Sequence, residues 1–386
     1  MKPIAIVAGY LIRYPLGGHI LCQLHYLAGL RRLGYEVIFV EHYGWPYSCY
    51  NPQAGEMTDD PAFGIGQVRP LLESVGVTRW CYADAAGHWH GLTRAELRDL
   101  CRTATVLISA ASTTWFEEFA ECRQRVFLDL DPGFTQFGLS PTPVPSCAGY
   151  AAPYDFQFHF TYGERIGQPD CPIPTHGFHW RPLRQPIVFD LLPVRFAPAA
   201  TRFTTVMSWS SRKIITYNGE SYGQKDIEFR RIIHLPQRLG PIFEIALAGP
   251  NPPRAEIAAA GWQIVAPLRV TATVDAYREY LGQSRGEFSV AVNLEVKSRS
   301  GWFSDRSAAY LATGKPVVVQ DTGFSEILPC GEGLFAFRTE DDAVAAIGQI
   351  NADYPRHCRA ARAIAEQYFD SDRVLGEMLR ACNLPV

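Results

Sequence analysis

The sequence predicts an α/β protein built from two doubly wound, Rossmann-like halves with parallel sheets facing each other across a cleft. Three observations carry this. Short unbroken apolar runs alternate with amphipathic segments from the first residues onward. The alternation stops over a proline-rich middle, 141–198, and restarts at Arg202. A length of 386 residues suits two domains of about 100–200 residues each. The halves are expected at 1–195 and 196–386, with the last helix returning to the first half.

The elements follow in order. Ile4 to Gly9 (IAIVAG) is a continuous apolar run, as a strand covered on both faces requires. From Ile20, the residues Leu21, Leu24, Leu27, Ala28 and Leu30 keep helical spacing, Gly34 suits a helix C-cap, and EVIFVE is the next strand. TRAELRDLCRTA and TVLISAA form a second helix–strand pair, and TWFEEFAECR and RVFLDLD a third. The middle is dense in proline and aromatics. Proline fixes φ and removes a backbone donor, so this stretch predicts loops and a linker, with one strand in YDFQFHFTYG. In the second half RFTTVMSW, FEIALAG, FSVAVNLE and KPVVVQD read as strands. DIEFRRIIHLPQRLG, ATVDAYREYLGQSR, SDRSAAYLATG, EDDAVAAIGQINAD and PRHCRAARAIAEQYFD read as helices.

Composition narrows the function. A formal charge of −3 argues against a nucleic-acid binder driven by phosphate neutralisation. No apolar run reaches the length of a membrane span. MKPIAIVAGY reads as a strand rather than a signal peptide, because Arg13 follows so soon. The ten cysteines are scattered without a CxxC pair, which suits reduced thiols in a cytoplasmic protein. The expected partners are therefore small molecules, and neither nucleic acid nor an integral membrane segment is expected.

Four stretches carry candidate chemistry. After the first strand, Gly17 and Gly18 permit close backbone approach, and His19 stands at the mouth of the next helix, on the ligand side of an open sheet. An imidazole there can take a proton from a hydroxyl near neutral pH. In the second half, KSRSGWFSDRSAAYLATG offers Ser304 as an N-cap, with Ser300 and Gly301 before a helix N-terminus and Arg299 for a charge-assisted phosphate contact. Beyond the next strand, Asp321, Thr322 and Gly323 form a polar turn at the same sheet edge. Ser210 and Lys225, in the loop after the first strand of the second half, are candidates for the same phosphates, with a solvated polar loop as the plain alternative. One phosphate-binding turn and one hydroxyl-binding turn suit a nucleotide sugar.

Asp131, at the end of FLDLD, is a candidate partner for His19, with strand-end turn capping as the plain alternative. Aromatic residues gather at loops of the first half. Tyr43 and Trp45 follow the second strand and Trp89 lies in GHWHGL; rings at loops suit flat acceptors and sugar faces, or simple packing. No metal site is expected, since His88 and His90 lack a third ligand nearby in sequence.

The pairing of Gly17-Gly18-His19 with SRSGWFSD…YLATGKPVVVQD resembles the GT-B glycosyltransferases over the whole chain. In inverting members acting on small acceptors, a histidine after the first strand deprotonates the acceptor hydroxyl, which is where His19 stands. Their C-terminal signature begins His-Cys-Gly-Trp-Asn-Ser. Gly301, Trp302 and Ser304 match it, while Arg299 replaces the histidine. The ribose-binding glutamate of that signature falls on Ser307 or Ala309, neither acidic. Glu287 and Glu295 have the eight-residue spacing of the retaining group's glutamates but lie upstream of the helix, so we take that spacing as chance. The resemblance implies a metal-independent hexosyltransferase that uses a UDP-, dTDP- or GDP-linked sugar as co-substrate, needs no further cofactor, and transfers to a small-molecule hydroxyl. The rivals are a sugar-nucleotide epimerase on the same fold, a catalytically silent nucleotide-binding protein, and a dinucleotide oxidoreductase. Conversion of donor without acceptor would reveal the first, and bound nicotinamide the last.

Overall fold

The computed structural model describes residues 2–110, 112–139, 144–147 and 149–386. Pro141, Thr142 and Pro143 of the expected linker lie outside the described residues.

The first lobe is an eight-stranded sheet. Its spatial order is Trp180–Pro182, Phe158–Thr161, Arg125–Asp129, Val106–Ala110, Ile4–Ala8, Glu36–His42, Arg79–Ala83 and Trp89–Gly91. All neighbours run parallel except the last pair. The second lobe is a six-stranded parallel sheet: Gln263–Val265, Phe243–Ala248, Phe203–Ser208, Gly286–Ser289, Val317–Gln320 and Leu334–Phe337. These two doubly wound sheets make the GT-B fold. The central strands are buried along almost their whole length, which is why their sequences read as unbroken apolar runs rather than as alternation.

In each sheet the winding reverses beside the lobe's first strand. In the first lobe this is between Ile4–Ala8 and Val106–Ala110, and in the second between Phe203–Ser208 and Gly286–Ser289. Loops leaving such a switch point splay apart and open a crevice. The two crevices lie on the two sides of the interlobe cleft.

Several expectations need correction. The strand expected in YDFQFHFTYG forms as Phe158–Thr161, but the proline-rich stretch also supplies a strand that was not expected, Trp180–Pro182, at the edge of the first sheet. FSVAVNLE stops as a strand at Ser289 and becomes the helix Asn293–Ser298. DIEFRRIIHLPQRLG splits into Lys225–Arg230 and Leu235–Leu239, with Pro236 at the start of the second piece. TWFEEFAECR yields only the 3-10 turn Glu117–Glu121. Pro236 accounts for the split in DIEFRRIIHLPQRLG, since proline enters a helix only at its first turn.

The lobes share a core. Leu21, Leu24 and Leu27 on the helix Gly17–Arg32 cluster with Tyr277 and Leu281 of the helix Val274–Gln283, and with Ala308 and Ala309 of the helix Asp305–Ala312. The last helix, Ser371–Ala381, packs on the first through Leu375 and Leu379, and Arg32 pairs with Asp372 across that contact. Ser371 N–H donates to Ile187 O at 3.0 Å, which ties the returning chain to the first lobe.

Candidate functional site

The loop after Ile4–Ala8 carries Tyr10 and the buried Arg13, and the helix Gly17–Arg32 that follows it carries His19 in its first turn. The His19 Nε2 lies 2.7 Å from the Tyr10 carbonyl oxygen, and the two rings stand 4.2 Å apart. A carbonyl only accepts, so Nε2 carries the proton and Nδ1 is the basic nitrogen. The Gln23 amide, 3.2 Å from the same Nε2, therefore does not donate to it. Burial lowers the His19 pKa, against a smaller upward pull from the Tyr10 carbonyl and from Asp305. The ring is thus neutral and oriented, the state a general base requires.

Asp131 does not orient it. The Asp131 carboxylate instead accepts from Arg212 Nη2 of the second lobe at 2.6 Å, and the Arg212 guanidinium lies 4.5 Å from the Phe134 ring centre. Asp131 remains within the electrostatic reach of His19. The expected catalytic pair is corrected on this point: the backbone carbonyl of Tyr10 holds the imidazole, and the carboxylate bridges the lobes.

Lys225 opens the short helix Lys225–Arg230 at the second lobe's switch point. Its Nζ forms no ion pair among the described residues. Burial, then the neighbouring Arg306 guanidinium, depress its pKa to about 7. Arg306 itself is fully engaged. It donates to Glu287 Oε1 at 2.5 Å, to the Val206 carbonyl at 2.8 Å and to Ser289 Oγ at 2.9 Å. Asp305 and Asp131 lie in the field of both His19 and Lys225, so these two side chains share one charged neighbourhood. Ser210 is half-buried in the same loop as Arg212.

The rest of the expected donor cluster does something else. Arg299 pairs with Asp170 and Glu326, the same two acids that hold Arg165. Its guanidinium is held in this four-membered charge ring. Arg165, from the first lobe, threads between Gly301 and Gly323 of the second. A Cβ on Gly301 would fall 2.8 Å from Arg165 Cγ, and one on Gly323 would fall 2.9 Å from Arg165 Cδ. Arg165 N–H donates to Ser300 O at 2.9 Å, and Gly301 N–H to Thr322 O at 2.9 Å. Ser300 Oγ donates to buried Glu295, and Thr322 Oγ1 to the Trp302 carbonyl. Asp321 accepts from Gly323 N–H, Ser325 Oγ and Arg338 Nε. Ser304 caps its helix, accepting from Arg306 N–H at 3.2 Å. Arg299, Ser300, Gly301, Asp321, Thr322 and Gly323 thus build the seam between lobes rather than a phosphate cradle. Gly17 and Gly18 are corrected likewise. A Cβ on Gly17 would collide with the Thr273 carbonyl of the second lobe and one on Gly18 would crowd the Tyr277 ring, so these glycines admit the other lobe, not a ligand.

On the first lobe's side, a cavity of about 300 Å³ opens at the carboxyl ends of the strands. Ser112, Thr113, Asp131, Phe134 and Tyr150 line it, and Arg212 closes it from across the cleft. Behind its wall Arg13 and Glu41 form a fully buried ion pair at 3.0 Å, with Arg13 Nη2 also donating to the Thr113 carbonyl at 2.9 Å. Of the aromatic candidates, Trp45 is exposed and lies 5.1 Å from the Arg13 guanidinium. Tyr43 instead packs on the core that the two lobes share, and Trp89 on a cluster within the first lobe. Sequence reasoning missed Tyr10, Arg13, Arg165 and Arg212. Only Arg212 gave a readable signal, as the first basic residue in a polar loop that already held two candidates.

Among the described residues no group of histidines, cysteines and acids is arranged to hold a metal ion, and no helix is long and apolar enough to cross a membrane.

No family model and no curated protein matches the sequence. Solved structures do match in shape. An alpha-glucosyltransferase in complex with UDP and a 13-mer DNA is similar at a TM-score of 0.60 and 11% identity, over 99% of this chain and 100% of that one. HepE from Anabaena, solved with UDP and glucose, is similar at 0.54 and 11% identity, over 99% and 100%. Sucrose-phosphate synthase from Thermosynechococcus elongatus is similar at 0.51 and 12% identity, over 99% of each chain. The likeness to these glycosyltransferases is one of fold, and it extends across both lobes.

Proposed function

We propose that this protein transfers a sugar from a nucleoside-diphosphate donor to a hydroxyl of an acceptor held in the first lobe's cavity. The observation that carries the reading is Lys225. Its ammonium forms no ion pair among the described residues, stands desolvated at the switch point of the second sheet, and shares its charged surroundings with a neutral, oriented imidazole from the first. An unmatched cation at that place suits a diphosphate. The imidazole suits a proton acceptor on the other side of the transferred sugar. Fold analogy points the same way, since two of the similar enzymes named above were solved with UDP.

In this reading the donor lies against the second lobe, with Lys225 at its phosphates and Ser210 beside them. The acceptor hydroxyl loses its proton to His19 Nδ1 as its oxygen bonds to the anomeric carbon, and the nucleoside diphosphate leaves with the electrons of the broken C–O bond. A direct displacement of this kind inverts the anomeric centre. Tyr10 keeps the ring in the basic tautomer. The donor is a co-substrate, the protein is cytoplasmic, and no metal or further cofactor takes part.

The test begins with UDP, dTDP and GDP in thermal unfolding. At about one hundred times Kd, a ligand that binds only the native state adds about 2.7 kcal/mol, a shift of several degrees for lobes of this size. With the effective nucleotide's glucose conjugate, His19→Ala should lower kcat about 10²–10⁴-fold while leaving the nucleotide shift in place. A product of retained configuration, read by NMR, would refute His19 as the base. No shift with any nucleotide would refute the reading as a whole.

A further inference from the structure

Residues 209–224 lie between the first strand of the second lobe and Lys225. Asn218-Gly219 turns this stretch back on itself: both residues take positive φ, +50° and +80°, as a two-residue hairpin turn requires. Ile215–Tyr217 and Glu220–Tyr222 pair antiparallel as a sheet of their own, outside both lobe sheets. The register sets Ile215, Tyr217, Glu220 and Tyr222 on one face. Two of these side chains reach the first lobe. The Phe137 ring lies 4.8 Å from that of Tyr217 and 4.9 Å from that of Tyr222. Arg212, just before the hairpin, adds its bridge to Asp131 and its contact with Phe134. Phe134, Thr135 and Gly138, from the same short first-lobe segment as Phe137, line the cavity.

The two ends of this stretch are anchored and its middle is not. Trp209 is buried, its N–H donating to Ala248 O at 2.9 Å and its carbonyl accepting from Asp226 N–H at 3.1 Å. Gly223 N–H donates to Asn293 Oδ1 at 2.9 Å, and its carbonyl accepts from Leu294 N–H at 3.2 Å. Between these feet Ser211, Arg212, Lys213 and Ile214 are all exposed, Ile214 at 62%, and Lys213 forms no ion pair among the described residues. The Lys297 ammonium holds Glu220 and the Ser221 carbonyl from the second lobe, on a flexible stem that can follow them. A two-stranded hairpin is marginal by itself in water, so its position depends on what it touches. The lobes stand differently, with Leu21, Leu24, Tyr277, Leu281 and Ala308 buried in one shared core. Parting the lobes would expose that core. Moving the hairpin gives up only two ring contacts, one cation–π contact and a half-exposed ion pair.

We infer that residues 210–222 are a lid over the acceptor cavity. The hairpin swings on feet at Trp209 and Gly223, and it shuts when Tyr217 and Tyr222 meet Phe137 and Arg212 meets Asp131. The transferase reading above supplies what the lid encloses, a donor and an acceptor kept from water, but the swing itself does not depend on that reading. Lys225 lies two residues beyond the second foot, so a diphosphate held there steadies the closed position.

Hydrogen exchange of the full chain, read by mass spectrometry, tests the swing. In the free protein the amides of 215–222 should exchange about a hundredfold faster, or more, than those of 21–27 and 277–281 in the shared core. Phe137→Leu keeps apolar bulk in the first lobe and removes the ring. It should speed exchange in the hairpin about two- to tenfold and leave the core helices unchanged, and Tyr217→Ser should do the same from the other side. Exchange in the hairpin as slow as in the core helices, or indifferent to Phe137→Leu, would overturn the lid. The effective nucleotide should slow hairpin exchange in the unaltered protein. A nucleotide that raises the unfolding midpoint without slowing that exchange overturns the lid as well. With the glucose conjugate of that nucleotide, Tyr217→Ser should raise the share of donor lost to water about threefold or more, and an unchanged share overturns the enclosing role. If no nucleotide binds and no donor is consumed, the transferase reading fails, and the Phe137→Leu comparison decides the lid by itself.

Discussion

The backbone N–H of Arg165, in the first lobe, donates to the carbonyl oxygen of Ser300, in the second, at 2.9 Å. It is one of several contacts between the lobes, beside the Arg212–Asp131 and Arg299–Asp170 pairs. It sets the Arg165 side chain in the slot between two glycines that both need positive φ, Gly301 at +79° and Gly323 at +95°. Alanine at either position adds backbone strain and a clash with the threaded side chain. Each substitution should cost about 1–3 kcal/mol in urea unfolding. The two should differ in rescue. At Gly323 the nearest obstacle is Arg165 Cδ, so Arg165→Ala should recover part of the loss. At Gly301 the Arg165 backbone nitrogen also stands 3.0 Å away, so the same second substitution should recover less. Equal rescue would mean the slot is not what the glycines serve.

Glu41 and Arg13 give a second prediction. The carboxylate is buried and accepts from Ile12 N–H at 2.7 Å, Arg13 N–H at 2.9 Å and Arg13 Nε at 3.0 Å. Removing one member of a buried pair leaves the other charge uncompensated, which costs about 3–5 kcal/mol. Glu41→Leu should therefore unfold at markedly lower urea, and more so than Arg32→Ala, which breaks a half-exposed pair with Asp372 worth about 1 kcal/mol or less. A chevron or equilibrium series of the two variants settles the order.

What was legible in the sequence and what was not divides along a physical line. Alternation, strand burial and the Ser304 cap depend on neighbours within one or two turns, so residues close in sequence announce them. Lys225 was legible only as a basic residue of the polar loop after the first strand of the second half; the structure sets it at the start of the helix Lys225–Arg230. The misreadings share a different cause. Gly17, Gly18, Gly301 and Gly323 were read as glycines that admit a ligand, and they do admit something, but it is the other lobe. A sequence shows that a backbone must be approached closely; it does not show by what. Arg299 failed in the same way. Its partners Asp170 and Glu326 lie 129 and 27 residues away, and no local pattern connects them.

The place of Asp131 yields a third prediction. If the Tyr10 carbonyl holds the His19 tautomer, Asp131→Asn should not disturb it. Long-range ¹⁵N NMR of the imidazole should report the Nε2–H form in both proteins. The loss of a half-exposed bridge to Arg212 should lower stability by about 1 kcal/mol or less. A change of tautomer in the variant would restore the carboxylate as the orienting group.

Lys225 provides the last, and it follows from its depressed pKa. In the free protein the amine titrates at about 7, because burial and Arg306 disfavour its charge. A bound diphosphate would favour that charge and raise the pKa. The sign is then fixed. Below pH 7 the lysine is already charged, and binding through it is independent of pH. Above pH 7 a proton must be taken up with the ligand, so affinity falls by up to about tenfold per pH unit until the pKa of the complex is passed. The ligand's own second phosphate ionisation, near pH 6, is complete by pH 8 and does not confuse the reading. Calorimetry at pH 8 in two buffers of different ionisation enthalpy should show close to one proton absorbed per nucleoside diphosphate bound. Lys225→Met should abolish that uptake and weaken binding about 10–100-fold, the worth of a hydrogen bond to a charged group. Binding without proton uptake in the unaltered protein would place the diphosphate elsewhere in the cleft, and the cation at the second switch point would need another explanation.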